Sequence, residues 1–198
     1  MQLPDIQPAL HTARLTLRPF DPSDIPAVAE LCGERDIAST TLHIPHPYTL
    51  DDARIWIDSH PEIYSTGKAA IFAITHRDHQ TLIGGIGLTF DLQYNRAELG
   101  YWIGKPFWGN GFCSEAAPEI LRFGFEICKL NRIFATHMIR NPASGRIMEK
   151  AGMKLEGILR QHVMKWGVYV DALYGRRGGH GTGQVVSRGG GGSKWQEM

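Results

Sequence analysis

Residues 97–115 read AELGYWIGKPFWGNGFCSE, and the reading of this stretch decides the fold. Ala97, Leu99, Tyr101 and Ile103 alternate on one face of a strand that ends near Gly104. Gly109 and Gly111 flank Asn110, and an amphipathic helix begins within a few residues. A strand, a glycine loop and a helix start make an anion-binding arrangement. Glycine lets the backbone approach closely, and successive N–H groups at the helix N-terminus point at a phosphate. No lysine follows the glycines, which excludes a Walker-type loop. The spacing Gly109, Gly111, Ser114 falls short of a dinucleotide fingerprint, and the strand belongs to a meander rather than an opening βαβ unit. On this motif alone a structural turn and a phosphate site remain equal alternatives. Pro118, about one turn into the helix, adds a constraint, because proline cannot donate and disfavours a helical residue before it. The helix then either starts late, near Cys113 or Ser114, or is distorted in its first turn.

Working outward, Ala117, Ile120, Leu121, Gly124, Phe125 and Cys128 recur with helical spacing as a single apolar stripe. RIFATHMI, 132–139, reads as a strand. Asn141-Pro142 then opens a helix, since asparagine caps and proline suits the first helical position, and Gly152 closes it. Strands follow over 155–165 and 168–174, with Trp166 and Gly167 at the turn. Upstream, strands over 69–77, 81–90 and 93–103 form an antiparallel meander. Before them come a strand at 14–20, a helix over 25–32, a loop or broken turn over 39–50 and a helix over 51–64. The fold class is α+β: a mostly antiparallel mixed sheet flanked by helices, with one β-helix-β-helix-β unit. The domain spans 10–175. Residues 176–198 read as a Gly-rich flexible tail, disordered or foreign to the natural chain.

Composition bounds the function. The 198 residues are 42% apolar and 21% charged, as in an ordinary soluble globule of one domain. A chain of this length buries roughly 70% of its unfolded surface and needs no staple. The formal charge of +1 gives no nucleic-acid footprint, and the short apolar runs give no membrane span. The N-terminus lacks a basic start followed by an apolar stretch, so no secretory signal is expected. Cys32, Cys113 and Cys128 are too few and scattered for a disulfide framework or a zinc site, which makes a reduced, cytoplasmic setting the default.

Several separate stretches together resemble the Gcn5-related N-acetyltransferases (GNAT), in particular the branch of ribosomal-protein N-terminal acetyltransferases. They are RLTLRPF, IPHPYTLDDARIWI, AELGYWIGKPFWGNGFCSEA, NRIFATHMIRNPASGRIMEKAGMKLEG and VDALYG, in the family's order over nearly all of 12–175. The resemblance implies a splayed sheet with acetyl-CoA lodged between two central strands, and no metal. The superfamily loop is Gln/Arg-x-x-Gly-x-Gly/Ala; Trp108 stands at its first position, Gly111 at the invariant glycine and Cys113 at the last small residue. The same resemblance assigns the pyrophosphate to backbone N–H groups of Gly109, Asn110, Gly111, Phe112, Cys113 and Ser114. Tyr101, Trp102 and Ile103 would pair with the pantetheine amides, and Asn141 and Ser144 match an Asn-x-x-Ser motif beside the thiol.

The implied reaction is direct acyl transfer from a thioester to a primary amine. It requires a base for the amine and a proton for the leaving thiolate. Glu98 is the candidate base, against a solvent-facing residue paired to Arg96 or another cation. Ser144 is the candidate acid, against an ordinary first-turn residue bonding back to Asn141. His162 is an alternative base, or simply a surface strand histidine. His43, His46 and Tyr48 lie on the loop that roofs the acceptor site in this family. The histidine spacings show no metal-ligand set, and direct transfer gives Cys113 no nucleophilic role. The partners expected are acetyl-CoA and an amine, first a protein N-terminal α-amine and otherwise a small amine. Nucleic acid and membrane are not expected, and a homodimer is left open. A non-catalytic acyl-CoA-binding module is the competing class.

Overall fold

Residues 2–178 are described by the structure, a computed structural model. The chain runs β1 (Leu10–His11), β2 (Leu15–Pro19), α1 (Ile25–Gly33), α2 (Arg35–Thr40), α3 (Leu50–Asp58) and α4 (His60–Ser65). The meander follows as β3 (Ala69–His76), β4 (Leu82–Asp91) and β5 (Arg96–Ile103). Then come α5 (Phe112–Arg122), β6 (Arg132–Met138), α6 (Pro142–Lys150), β7 (Lys154–Lys165) and β8 (Val168–Gly178).

One eight-stranded sheet has the order β1-β2-β3-β4-β5-β6-β8-β7. Every neighbouring pair is antiparallel except β5 and β6, the two strands that α5 connects. A helical crossover is what permits parallel neighbours. That pairing is short: Arg96, Ala97 and Glu98 meet Arg132, Ile133 and Phe134, and no further rung joins the two strands. Beyond it, Leu99–Ile103 and Ala135–Met138 diverge.

Strand alternation sorts the side chains onto two faces. On one, Ala97 and Leu99 join Ile120 and Leu121 of α5 and Met148 of α6 in the main core. On the other, Trp102 joins Val28, Leu31 and Ile57 from α1 and α3. Each large side chain fully buried in this way contributes about 1.5–3 kcal/mol.

The structure corrects several boundaries. The helix expected over 51–64 is two helices that break at Ser59, because Pro61 has no N–H with which to continue the ladder. Ser39 and Thr40 end a short helix, with both hydroxyls donating back to the Asp36 carbonyl, so the irregular segment is 41–49. Helix α5 begins directly after Gly111, with Glu115 N–H donating to the Gly111 carbonyl at 3.0 Å, and continues unbroken past Pro118. The helix therefore starts earlier than expected, and Pro118, in its second turn, withholds one ladder donor, from the Ser114 carbonyl, without ending it. A wider turn over Phe123–Ile127, in which Cys128 N–H donates to the Phe123 carbonyl at 3.0 Å, completes the apolar stripe.

The chain also packs beyond the expected domain limits. Residues 176–178 extend β8 against Phe134, Ile133 and Arg132, rather than opening the tail. The rest of that tail, 179–198, lies outside the described residues. At the other end, Gln2 N–H donates to the Cys128 carbonyl at 3.0 Å, and the Tyr64 hydroxyl donates to the Pro4 carbonyl at 2.8 Å.

Candidate active site

The divergence of β5 and β6 opens a cleft of about 1010 Å³. The glycine loop and the starts of α5 and α6 lie along it, together with residues of β5, β6 and β7.

The loop leaves its backbone donors unpartnered among the described residues. Gly109 and Gly111 have φ of +79° and +75°, a region that penalises any side chain. Among the described residues, none of the N–H groups of Gly109 to Ser114 meets an acceptor. Five of these six residues, all but Asn110, line the cleft, and unpartnered donors at a helix N-terminus are groups that an oxyanion can satisfy. Asn110 itself turns away: its amide donates to the carbonyls of Phe107 and Trp108 at 3.2 and 3.1 Å, which stiffens the turn. Trp108 also acts within the loop, its indole N–H donating to the Ile103 carbonyl at 2.6 Å. That carbonyl is thus already engaged at the end of β5.

A support not visible in the sequence holds the loop from outside. Glu115, in the first turn of α5, accepts from Thr12 Oγ1 at 2.6 Å and from Arg14 N and Nε at 2.8 and 2.7 Å. Arg14 also donates to the Asn110 carbonyl at 3.2 Å and lies over the Phe112 ring. Hydrogen bonds from Thr12 and Arg14 hold the Glu115 carboxyl below its usual range against the opposing effect of burial.

Tyr101 and Ser144 meet across the cleft. The Tyr101 hydroxyl is 2.8 Å from Ser144 Oγ and donates to the Ser144 carbonyl at 3.0 Å. Burial pushes the phenol far above its ordinary pKa, so it keeps its proton. Asn141 caps α6 as its sequence position predicts, its side chain accepting from Ser144 N–H at 3.3 Å. The Ser144 hydroxyl therefore bonds to Tyr101 rather than back to Asn141.

Glu98 also lines the cleft, on the sheet face opposite Ala97 and Leu99. Its carboxylate accepts from Thr136 Oγ1 at 3.0 Å. The pairing with Arg96 weighed from sequence is absent, because Arg96 binds Asp91 at 2.9 Å. Trp102 contributes wall to the cleft, but its indole packs on the far face near Trp56, 6.5 Å between ring centroids. Cys113 is buried, and burial pushes its thiol far above the ordinary value, which suits a small packing residue and not a nucleophile.

On the opposite wall, His162 is exposed and lines the cleft, as does His43. The roof is latched by Lys165, a buried side chain whose ammonium donates to the carbonyls of Leu42 and Ile44 at 3.2 and 3.0 Å. Burial lowers its pKa. Among the described residues no group of His, Cys, Asp or Glu side chains could hold a metal ion, and no helix is long and apolar enough to cross a membrane.

The sheet thus splays around a glycine loop with unpartnered N–H groups, and the Glu98 carboxylate and Ser144 hydroxyl share its cleft; the class this fold belongs to is the acyltransferases. The chain belongs to the GNAT acetyltransferase family, whose domain model matches residues 14–154. It is an N-acetyltransferase enzyme. It is 32% identical over 165 residues to an uncharacterised N-acetyltransferase, YoaA, of Bacillus subtilis, which covers 83% of this chain and 93% of that protein. The ribosomal-protein-serine acetyltransferase of Escherichia coli is 29% identical over 128 residues, 64% of this chain and 70% of that protein. The solved structure of RimL, a ribosomal-protein α-N-acetyltransferase, in complex with coenzyme A superimposes with a TM-score of 0.80 at 19% identity, covering 87% of this chain and 98% of that one.

Proposed function

We propose that the protein transfers an acetyl group from acetyl-CoA to a primary amine, and that the amine is a protein N-terminal α-amine. The observation that carries this is the row of unpartnered N–H groups from Gly109 to Ser114, opening into the same cleft as Glu98 and the Tyr101–Ser144 pair. The coenzyme A bound to RimL supports the donor. The likeness to the ribosomal-protein-serine acetyltransferase supports a protein acceptor.

In this reading the pyrophosphate takes the loop N–H groups, and the exposed edge of β5 receives the pantetheine arm. The neutral amine attacks the thioester carbonyl carbon, forming a C–N bond, and its proton passes to Glu98 directly or through water. The C–S bond then breaks, and Ser144 supplies a proton or a hydrogen bond to the departing thiolate. No covalent enzyme intermediate is required, since the donor arrives already activated.

The test is coenzyme A release, followed with a thiol reagent, across N-terminal peptides and small amines. Turnover with peptides carrying a free α-amine, and loss of turnover when that amine is blocked, supports the reading. Turnover with polyamines or amino sugars alone would transfer the acceptor to the small-amine class. Binding of acetyl-CoA without turnover on any amine would leave a non-catalytic binding module.

A further inference from the structure

We propose that Gly100 opens a side-chain subsite beside the amine, and that the acceptor is a protein whose first residue carries a large apolar side chain such as leucine or methionine. The inference rests on the reading that the amine is a protein N-terminal α-amine.

A second cavity, of about 160 Å³, adjoins the cleft and shares Thr89, Gly100, Tyr101 and Trp102 with it. It lies on the sheet face that carries Glu98 and Trp102. There Ile71 of β3, Gly87 of β4 and Gly100 of β5 stand in one row across the strands. The two glycines make a bare floor, and Ile71 closes its end. On the same face Thr89 and Glu98 form the next row on one side, and Gly85 and Trp102 the next row on the other. Trp56 of α3 adds a wall, and no charged side chain is among the described residues that line the cavity.

Packing explains glycine at 85 and 87 but not at 100. A Cβ on Gly85 would stand 2.7 Å from the Trp102 indole nitrogen, and one on Gly87 2.7 Å from the Ala70 carbonyl oxygen. A Cβ on Gly100 would meet nothing within 4 Å, and the φ of Gly100 lies outside the left-handed region. Gly109, Gly157 and Gly167 are equally open, but the first and last have positive φ and β7 shifts register at Gly157. Glycine inside a strand weakens it, and marks a bulge, a bend or a place that a ligand approaches closely. The pairing of β4 with β5 runs without a register shift from Gly84 to Asp91, so no bulge accounts for Gly100. What remains is an occupant from outside the chain.

Position decides which reactant that is. Glu98 precedes Gly100 by two residues on the same face, about 7 Å along the strand. The side chain of an N-terminal leucine or methionine bridges that span once its α-amine is at Glu98. Tyr101 points to the other face, where its hydroxyl meets Ser144. The subsite therefore lies beside the incoming amine and away from the departing sulfur. A dry apolar cavity of ~150 Å³ takes a benzene ring, so this one accommodates either side chain. A charged first residue would lose its water there and gain no partner.

The test is kcat/KM, followed as coenzyme A release, for peptides that differ only in their first residue: leucine, methionine, alanine, serine or aspartate. In the wild type leucine and methionine should exceed the others roughly tenfold or more, the selectivity that a single methylene already provides in an apolar pocket. G100V covers the floor with a side chain that suits a strand, and should bring the leucine and alanine peptides within about threefold of each other. G100A should fall between. An unchanged melting temperature and coenzyme A affinity verify the fold and the donor site of each variant. Equal use of the peptides by the wild type, a preference for the small residues, or a leucine preference that survives G100V would overturn the proposal. So would selectivity of G100V against a butyryl donor with the peptide preference intact, which would give the space to the acyl chain. Turnover on no peptide at all would remove the protein-acceptor reading itself, and the subsite with it.

Discussion

The Tyr101 hydroxyl lies 2.8 Å from Ser144 Oγ and donates to the Ser144 carbonyl at 3.0 Å, joining β5 to the first turn of α6. A phenol has one proton. While the carbonyl takes it, the serine hydroxyl gives its own proton to the phenol oxygen and turns lone pairs toward the cleft. In the proposed reading the serine O–H swings outward to hydrogen-bond the leaving thiolate, and the Tyr101 O–H turns from the Ser144 carbonyl to donate to Oγ while keeping its proton. On that reading Tyr101 is a positioning residue for Ser144.

The expected outcome for S144A is near-native acetyl-CoA affinity with a rate 10- to 100-fold lower, about 1.4–2.7 kcal/mol. Y101F should lose part of that rate. The double variant should be no slower than S144A alone, since the phenylalanine then removes a partner that has nothing to orient. Acyl donors with better leaving groups should suffer less from either change. Full additivity, or equal penalties for good and poor leaving groups, would leave the pair a purely structural contact.

Gly111 is held at φ +75° as the residue before α5. G111D places a side chain in a strained backbone and a negative charge beside the anion site. Acetyl-CoA affinity should fall at least tenfold, or ~1.4 kcal/mol, with the far-ultraviolet circular dichroism spectrum retained. An unchanged dissociation constant would take the loop out of the site.

Glu98→Gln keeps the shape of the side chain and an oxygen for Thr136, but removes proton acceptance. The rate near neutral pH should drop roughly 10²- to 10⁴-fold while acetyl-CoA binding persists. The deficit should narrow as pH rises, because more of the amine is already neutral. A rate within threefold of wild type would move the role to His162 or to water, which H162Q then separates.

His60 supplies a pH dependence away from the cleft. It is 7% exposed, set edge-on to Phe20 and Trp56, and neither ring nitrogen has a hydrogen-bond partner among the described residues. Burial pushes its pKa down to about 4 from 6.5. The folded state keeps the ring neutral, whereas the unfolded chain takes up a proton below about 6.5. Stability from this group is therefore complete above pH 6.5, declines as pH falls toward 4 and changes no further below that, by at most roughly 3 kcal/mol. Denaturant midpoints measured from pH 7 to 4 should fall less steeply in H60F than in the wild type. Parallel slopes would contradict the burial argument.

The fold was readable where local pattern and tertiary role agree. Alternation in Ala97–Ile103, the stripe from Ala117 to Cys128 and the Asn141-Pro142 start each specify one element, and all three stand. Misreadings arose where a local preference met a competitor. Pro61 divides a helix whose apolar spacing runs on through it. The glycines and arginines after Tyr174 have little strand preference, yet residues 175–178 find an open edge on β6 and stay extended. Residues 2–9 looked featureless because their stabilising acceptors, such as the Cys128 and Ile71 carbonyls, lie far along the chain. In the site, glycine spacing announced the loop. The Arg14–Glu115 brace and the hydrogen bond of Thr136 to Glu98 join residues 101 and 38 positions apart. No period or motif records contacts at those separations.

The three rungs between β5 and β6 have a thermal consequence. They are a seam between a five-stranded and a three-stranded half, and on either side of it the ladders are longer. An occupant lying in the divergence touches both halves and does the work of the missing rungs, so binding and cohesion across the seam are one equilibrium. At a hundred times its dissociation constant such an occupant adds about 2.7 kcal/mol to stability. Amide exchange along Leu99–Ile103 and Ala135–Met138 should slow most when it binds, and the heat resistance of the enzyme then gauges the supply of its own co-substrate.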